Sequence, residues 1–165
     1  MNPRHLENLR ELNEGIVAFN RYLSPSSQIP TFDSETMVRD LQCTEIVHGD
    51  WNAFTFPNSE KRGVYFLLGH ERTMEEKNGF YIGKSSFESA MGHRLYTHLH
   101  PHRSQTHFTM GYGSEVYVLD CIASIDLDTP GLVFLASALE EFLIVNLRSK
   151  LTLMNGTGNV ARMGT

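Results

Sequence analysis

An apolar run rich in β-forming residues stands near the middle of the chain: Gly63-Val64-Tyr65-Phe66-Leu67-Leu68-Gly69. A short run of this kind, bounded by glycines, predicts a buried strand. A polar loop over residues 71–79 separates it from a second β-rich segment, residues 80–83. The two segments are therefore expected to form an antiparallel hairpin with a long, solvated connection.

A helix is predicted directly after the hairpin. Ser85 and Glu88 have the spacing of a capping box, with serine at the cap and glutamate three residues on. The helix should continue through Arg94 and His98 and stop before Pro101, because proline ends a helical run.

Two further elements complete the predicted fold. Residues 115–122 alternate and are rich in β-formers, which indicates a third strand, and Pro130 is expected to open a second long helix that runs to about Lys150. The predicted fold class is α/β in the α+β sense. A small three-stranded antiparallel sheet is flanked by helices, with an N-terminal helical extension.

The first 60 residues differ from the rest of the chain. Residues 4–23 carry apolar side chains at spacings of three and four, the pattern of an amphipathic helix, and the Pro- and Ser-rich residues 24–30 are interpreted as a linker with little to bury. A short helix near residues 33–41 and an extended piece over 51–56 are expected next. We divide the chain into an N-terminal segment, 1–60, and a domain, 61–165; the segment is left with three alternatives, namely dimerisation, packing on the core, or contact with a ligand.

Composition narrows the class of protein. A chain of 165 residues with 41% hydrophobic content suits one ordinary core. Cys43 and Cys121 lie far apart in no metal-like spacing, so they are expected to be thiols of a reducing, intracellular compartment. No stretch approaches the roughly 20 apolar residues of a membrane helix, and no membrane partner is expected.

The net charge of the chain argues against a polyanionic partner, but the positions of its Lys and Arg residues along the sequence do not. The chain carries a formal charge of −5, whereas phosphate binding is driven by clustered Lys and Arg. Between Lys84 and His107 the sequence holds three Lys and Arg residues against the single acid Glu88, together with five of the eight histidines. A local basic face is therefore expected there.

Helix periodicity distinguishes two adjacent glutamates. Because successive helix residues turn by about 100°, Glu140 lies within roughly 40° of the apolar residues Val133, Ala136, Ile144 and Leu147. Glu141, about 100° further round, shares its face with Ser137 and Arg148 and is expected to be a solvated surface acid. A carboxylate on a packed face is costly unless it is paired or binds a cation, so Glu140 is a candidate site residue; the alternative is a hydrogen bond to a core tyrosine or backbone amide.

Other polar residues leave alternatives open. Arg94 and His98 are one helical turn apart and can reach the same phosphate or carboxylate, or they form an ordinary exposed pair. A zinc site is conceivable from the four histidines of one stretch, although a proline interrupts the run: His98, His100, His102 and His107. Asn155, before a glycine, is by default a turn residue.

Taken together, these residues resemble the GIY-YIG nuclease family. The resemblance covers residues 62–157 and rests on five elements in the family's order and approximate spacing: Gly63-Val64-Tyr65, Tyr81-Ile82-Gly83, Arg94 with His98, Glu140, and Asn155. Lys84, directly after the second tripeptide, also looks like a family feature. Val64 replaces the usual isoleucine, and residues 100–113 align poorly with the family.

The resemblance implies a metal-dependent endonuclease acting on DNA. Glu140 would be the sole protein ligand of Mg²⁺ or Mn²⁺, Tyr65 or Tyr81 would be the general base, Arg94 would hold the scissile phosphate, and His98 would orient or relay a proton. The resemblance places four residues at substrate-binding positions: Gly83, Lys84, Asn155 and His107. A tyrosine base would need its pKa lowered by Lys84, Arg94 or the metal.

Three alternatives remain beside this hypothesis. The enzyme could incise branched or damaged DNA specifically, the chain could be a catalytically silent nucleic-acid-binding or interaction module with the same fold, or it could be a zinc-binding domain. A double-strand cut by a one-site enzyme would require a homodimer or two successive nicks.

Overall fold

The long strands of the protein form an antiparallel sheet, seen in a computed structural model that describes residues 3–32, 43–45, 58–98, 109–110 and 117–155. The described helices and strands are, in chain order, α1 (Pro3–Asn20), β1 (Cys43–Glu45), β2 (Gly63–Glu71), β3 (Met74–Ser85), α2 (Met91–His98), β4 (Thr109–Met110), β5 (Tyr117–Asp126) and α3 (Leu135–Leu147). A single turn of 3-10 helix lies at Pro25–Ser27.

The sheet order is β1-β5-β2-β3, and β4 also pairs with β5. The three long strands, β5, β2 and β3, form the predicted three-stranded antiparallel sheet, so the predicted α+β fold is confirmed. The two short strands extend it on the β5 side. β2 lies between two partners, and its first seven residues are buried, as expected for the apolar run.

Alternation along the strands gives the sheet two different faces. The α1/α3 face carries Val64, Phe66 and Leu68 of β2 and packs against α1 and α3. The α2 face carries Tyr65 and Leu67 and packs against α2. The main apolar core therefore lies under α1 and α3, and the candidate tyrosines belong to the smaller cluster under α2.

The N-terminal helix is confirmed, and it packs on the rest of the fold. The buried residues of α1 join the main core: Leu9, Leu12, Ile16 and Phe19. The side chains of Asn13 and Asn20 each bond both backbone groups of one later residue, Phe32 and Ile29 respectively. Ile29 is buried, so the interpretation of residues 24–30 as a linker with little to bury is wrong at that residue.

The hairpin differs from the predicted one in its connection. β3 begins at Met74, and only Arg72 and Thr73 lie between the two strands, so the expected long loop over 71–79 is wrong. The reason is that β3 is an edge strand. One side of an edge strand faces solvent, and polar residues are common there, which is why residues 74–79 do not look like a strand by composition.

Element ends also differ on the far side of the hairpin. Ser85 is the last residue of β3, and its hydroxyl donates to the carbonyl of Ser89, so it is not the helix cap. α2 instead begins at Met91, whose N–H bonds the carbonyl of Lys61. Residues 131–134 form a turn, and α3 begins at Leu135 rather than at Pro130. The third strand is described over residues 117–126 and therefore runs past the expected end at residue 122, whereas residues 115 and 116 lie outside the described part of the chain.

Cys121 is disulfide-bonded, so the expectation of a thiol at this position is wrong. The two cysteines are far apart in sequence, but β1, which contains Cys43, pairs with β5, which contains Cys121. In this pairing Cys43 is the strand partner of Ala123, and Glu45 is the strand partner of Cys121. Within the described ranges, no helix has both the length and the apolar character needed to cross a membrane. The expected helix near 33–41 and the extended piece over 51–56 lie outside the described residues.

Candidate active site

Two phenol rings lie side by side on the α2 face. Tyr65 of β2 is buried, with 1% of its surface exposed, and Tyr81 of β3 is half-buried. Their ring centroids are 6.3 Å apart with planes inclined by 32°, and the two side chains are hydrogen-bonded to each other. The hairpin brings the tyrosines of the two tripeptides together because it pairs β2 with β3.

The glycines of the two tripeptides are explained by close approach. Gly83 is the strand partner of Tyr65, and a Cβ at this position would overlap the phenol end of the Tyr65 ring. A Cβ at Gly63 would overlap the carbonyl oxygen of Ile125. Glycine allows such approaches because it has no side chain. The Tyr65 phenol therefore packs directly on the backbone of Gly83.

Burial raises the pKa of Tyr65 far above its usual range, and neighbouring Tyr81 and Glu140 act in the same direction. The Arg94 guanidinium lowers this pKa, but it does not outweigh burial. The sequence-based expectation is that neighbouring cations lower the tyrosine pKa. For Tyr65 this expectation is wrong, because the net effect of its surroundings raises the pKa. Tyr65 therefore remains a protonated phenol, suited to donating a hydrogen bond.

Glu140 lies on the packed side of α3 and Glu141 on the exposed side, as helix phasing predicted. The Glu140 side chain is 18% exposed, and its Oε2 lies 2.9 Å from the Nζ of Lys84. An ion pair offsets much of the cost of placing a carboxylate beside an apolar core. The observed partner of Glu140 is therefore the Lys84 ammonium group.

The tyrosine pair and the carboxylate lie on opposite faces of β3. Lys84 is the strand partner of Val64, so it shares the α1/α3 face on which Glu140 is found, whereas Tyr81 faces α2. β3 is the edge strand, so only one strand separates the two groups. Glu140 is still close enough to act on the pKa of Tyr65.

Asn155 holds the outer edge of β3 between the two groups. Its Oδ1 accepts from the N–H of Ile82 at 2.9 Å, and its Nδ2 donates to the carbonyl of the same residue. Phe80 bonds Thr152 and Met154 through its backbone, at 3.0 and 2.8 Å. The C-terminal segment therefore bonds the outer edge of β3 at Phe80 and Ile82, and Asn155 fixes the backbone between Tyr81 and Gly83.

α2 positions Arg94 beside the tyrosines. Met91 and Leu95 are buried in the same cluster as Tyr65, and Arg94 is exposed yet lowers the pKa of Tyr65. His98 is the last described residue of α2, one turn beyond Arg94. The side chain of His98, and all of His100, His102 and His107, lie outside the described part of the chain.

One buried polar contact beside the tyrosines was missed from the sequence. Ser124 of β5 is the other strand partner of Tyr65, and its side chain is buried. Its hydroxyl accepts a hydrogen bond of 3.0 Å from the amide of Asn58. Ser124 lies two residues beyond the predicted end of the third strand at residue 122, so the strand pattern did not include it.

The carboxylate of Glu140 meets one requirement of a magnesium site. Mg²⁺ commonly uses one or two protein carboxylates together with water and substrate oxygens, so Glu140 fits as a ligand when Lys84 turns away. In the described ranges, no group of three or more His, Cys, Asp or Glu side chains is arranged to hold a metal ion.

No protein family model matches the chain, and comparisons with curated proteins and with solved structures gave no match. The likeness to GIY-YIG nucleases thus rests on the residues named above.

Proposed function

We propose that the protein is a metal-dependent endonuclease that hydrolyses phosphodiester bonds in DNA. The observation that supports it best is the hydrogen-bonded pair of Tyr65 and Tyr81, with the charges of Arg94 and Glu140 both close enough to act on Tyr65. Phosphodiester hydrolysis needs an activated water, a cation for the phosphate and help for the leaving oxygen. A tyrosine can act as the base for the water, an arginine can bind the phosphate, and a glutamate can hold a metal ion that stabilises the leaving oxygen.

Each residue has a role in this proposal. Arg94, exposed on α2, holds the scissile phosphate by charge-assisted hydrogen bonds. Tyr65 remains protonated and donates to Tyr81, which positions the Tyr81 oxygen toward the attacking water. Tyr81 is the better candidate for the base because it is the more exposed of the two phenols.

Glu140 would hold Mg²⁺ or Mn²⁺, which when bound supplies Lewis-acid stabilisation of the phosphate and of the leaving oxygen. The ion pair between Lys84 and Glu140 belongs to the protein without substrate. When DNA binds, the Lys84 ammonium group leaves Glu140 and pairs with a DNA phosphate instead. The proposed partner is DNA, with a homodimer as the route to a double-strand cut. The proposed location is inside the cell, where DNA is found. Cys121 does not contribute to this proposal, because it is disulfide-bonded and is not a free thiol.

A silent nucleic-acid-binding or interaction module is the second candidate. Two observations favour it: the Glu140 carboxylate is already paired with Lys84, and the pKa of Tyr65 is raised rather than lowered. In this alternative the same residues stabilise the hairpin and the protein binds without cutting.

The test is plasmid cleavage by purified protein with Mg²⁺, Mn²⁺ or EDTA, comparing the wild type with Glu140→Ala and Glu141→Ala. Metal-dependent nicking is expected for the wild type and for Glu141→Ala, and it should be lost in Glu140→Ala. Glu141 is the matched control because it is the same residue type, one position along α3, on the exposed side. Thermal melting of both variants checks that they fold.

Equal loss in the two variants would contradict the assignment of Glu140. Absence of cleavage by the wild type on plasmid, branched and single-stranded DNA with either metal would reject the endonuclease and favour the silent module.

A further inference from the structure

The turn between β3 and α2 presents an aromatic ring to solvent. Phe87 is 81% exposed, and its backbone has a φ of 61°, in the left-handed region that bulky residues rarely adopt. A strained backbone persists only where its surroundings hold it, and such positions collect at ligand sites. An exposed phenylalanine in that conformation therefore calls for a reason other than packing.

Polar contacts hold this turn from both sides. The Arg62 guanidinium donates to the carbonyl of Phe87 at 3.1 Å and to the carboxylate of Asp128, where the Nε···Oδ1 distance is 2.8 Å. The hydroxyl of Ser85 donates to the carbonyl of Ser89. The backbone on either side of Phe87 is thus fixed, and the ring is held outward instead of folding onto the α2 face.

The segments that flank the turn are richer in basic side chains than the chain as a whole. Residues 58–62 and 84–98 contain four basic side chains, Lys61, Arg62, Lys84 and Arg94, and two acidic ones, Glu60 and Glu88. The whole chain carries −5. Arg62 is paired with Asp128 and Lys84 with Glu140, so attraction of a phosphate to this region depends mainly on Arg94, which is exposed on α2.

The turn is also close to the candidate phosphate-binding arginine. From Phe87 to Met91 is four residues of turn, and from Met91 to Arg94 is one helical step of three residues. The chain between them spans less than about 20 Å. A base pair occupies about 3.4 Å of duplex, so the backbone positions of Phe87 and Arg94 are separated by no more than the length of about six base pairs.

We propose that Phe87 contacts the bases of the DNA substrate beside the scissile phosphodiester, where it stacks on an unpaired base or enters a weakened base step. The inference rests on the proposed endonuclease and specifies its substrate class: DNA whose stacking is locally disturbed, as at a mismatch, nick or branch. Apolar side chains that enter base steps must offset the cost of unstacking, and that cost is smallest where stacking is already lost.

The test measures binding in the Glu140→Ala background, so that cleavage does not interfere. A fluorescent duplex with a central mismatch and the fully paired duplex are titrated at one fixed salt concentration, and 2-aminopurine beside the mismatch reports stacking. Phe87→Ala should weaken binding to the mismatched duplex about tenfold or more, the effect expected for one base-stacking aromatic. It should change binding to the paired duplex much less, and it should abolish the 2-aminopurine signal. Phe87→Trp should retain both.

Tyr22→Ala is the control. Tyr22 is also a highly exposed aromatic, at 78%, but it lies against Phe142 of α3, which packs on the other face of the sheet. Its substitution should leave both affinities unchanged.

Three outcomes are distinguishable. If the wild type cleaves and Phe87→Ala binds the mismatched duplex as tightly as its parent, the inference on Phe87 fails and the endonuclease stands. If Phe87→Ala weakens both duplexes equally, Phe87 contacts the backbone and the base contact is rejected. If the parent binds neither duplex and the wild type cleaves nothing, both proposals fail together.

Discussion

The two faces of the sheet bury different kinds of side chain. The α1/α3 face is lined by aliphatic and phenylalanine side chains and joins two helices to all three long strands. Among the described residues, the α2 face packs against α2, and its cluster includes the tyrosine pair. One face therefore provides most of the apolar burial that stabilises the fold, and the other accepts polar groups that a larger core would exclude.

The comparison also explains the placement of the candidate residues. Arg94 is exposed on α2, the helix whose Met91 and Leu95 pack in the same cluster as the tyrosines. Glu140 lies at the margin of the larger core, where an edge strand ends the sheet and Lys84 can reach it. Substitutions on the two faces should therefore separate stability from activity.

The largest expected effect is on the α1/α3 face. Phe66 is fully buried, and its ring packs against those of Phe32 and Phe80. Phe66→Ala should lower the free energy of unfolding by about 3–5 kcal/mol, as is usual when a buried phenylalanine leaves a cavity. Tyr65 precedes Phe66 and lies on the other face, and Tyr65→Phe should lower the free energy of unfolding by about 1 kcal/mol. Urea denaturation measures both, and similar losses would contradict the division of roles between the faces.

The second expected effect belongs to the α2 face and concerns activity. Arg94 is exposed, so Arg94→Ala should leave the melting temperature almost unchanged. If Arg94 holds the phosphate, turnover should fall about 100-fold, which corresponds to about 2.7 kcal/mol of transition-state stabilisation. Kinetics on a cleaved substrate and a thermal melt decide the matter. A large drop in melting temperature would mean that the arginine is structural.

These contrasts show which parts of the molecule could be predicted. β2 and the N-terminal helix were predicted because their apolar spacing is local and strong. The direction of Glu140 against Glu141 followed from helix geometry alone. The first half of β3 was missed, since its polar composition reflects its position at the edge of the sheet, and that position depends on the other strands.

Contacts between distant segments could not be predicted. The ion pair of Lys84 with Glu140 and the bonds of Asn155 to Ile82 each join residues more than 50 positions apart. The same holds for the pKa of Tyr65, because burial depends on how α2 covers the sheet. One sequence contains no direct sign of such pairs, so the candidate site could be named residue by residue but its electrostatics could not.

A third prediction concerns the junction of the two faces at β3. Asn155→Ala removes both side-chain bonds to Ile82 and leaves that backbone amide and carbonyl without these partners. Stability should fall by about 1–2 kcal/mol. Because Ile82 lies between Tyr81 and Gly83, amide hydrogen exchange should increase at residues 80–83. If exchange there is unchanged while stability falls, Asn155 does not order this strand.

The smallest expected effect lies at the opposite end of β2, where α1 meets the sheet. His5, 2% exposed, and His70 both bond the carboxylate of Asp120, at 3.0 and 2.8 Å. Burial alone would raise the pKa of Asp120, but the hydrogen bonds from His5 and His70 outweigh it and the pKa is lowered. A lowered pKa stabilises the fold above the value of about 3.9 for an unfolded aspartate, and this contribution is lost as the pH falls through the folded pKa.

Urea denaturation between pH 6 and pH 2.5 tests this contribution. The wild type should lose stability below about pH 4, and Asp120→Asn, which keeps an acceptor but has no charge, should lose less over the same range. The difference should be about 1 kcal/mol or less, since the group is partly exposed and solvent screens it. Parallel pH profiles for the two proteins would mean that α1 is held to the sheet by apolar burial alone, as the composition of the α1/α3 face would suggest.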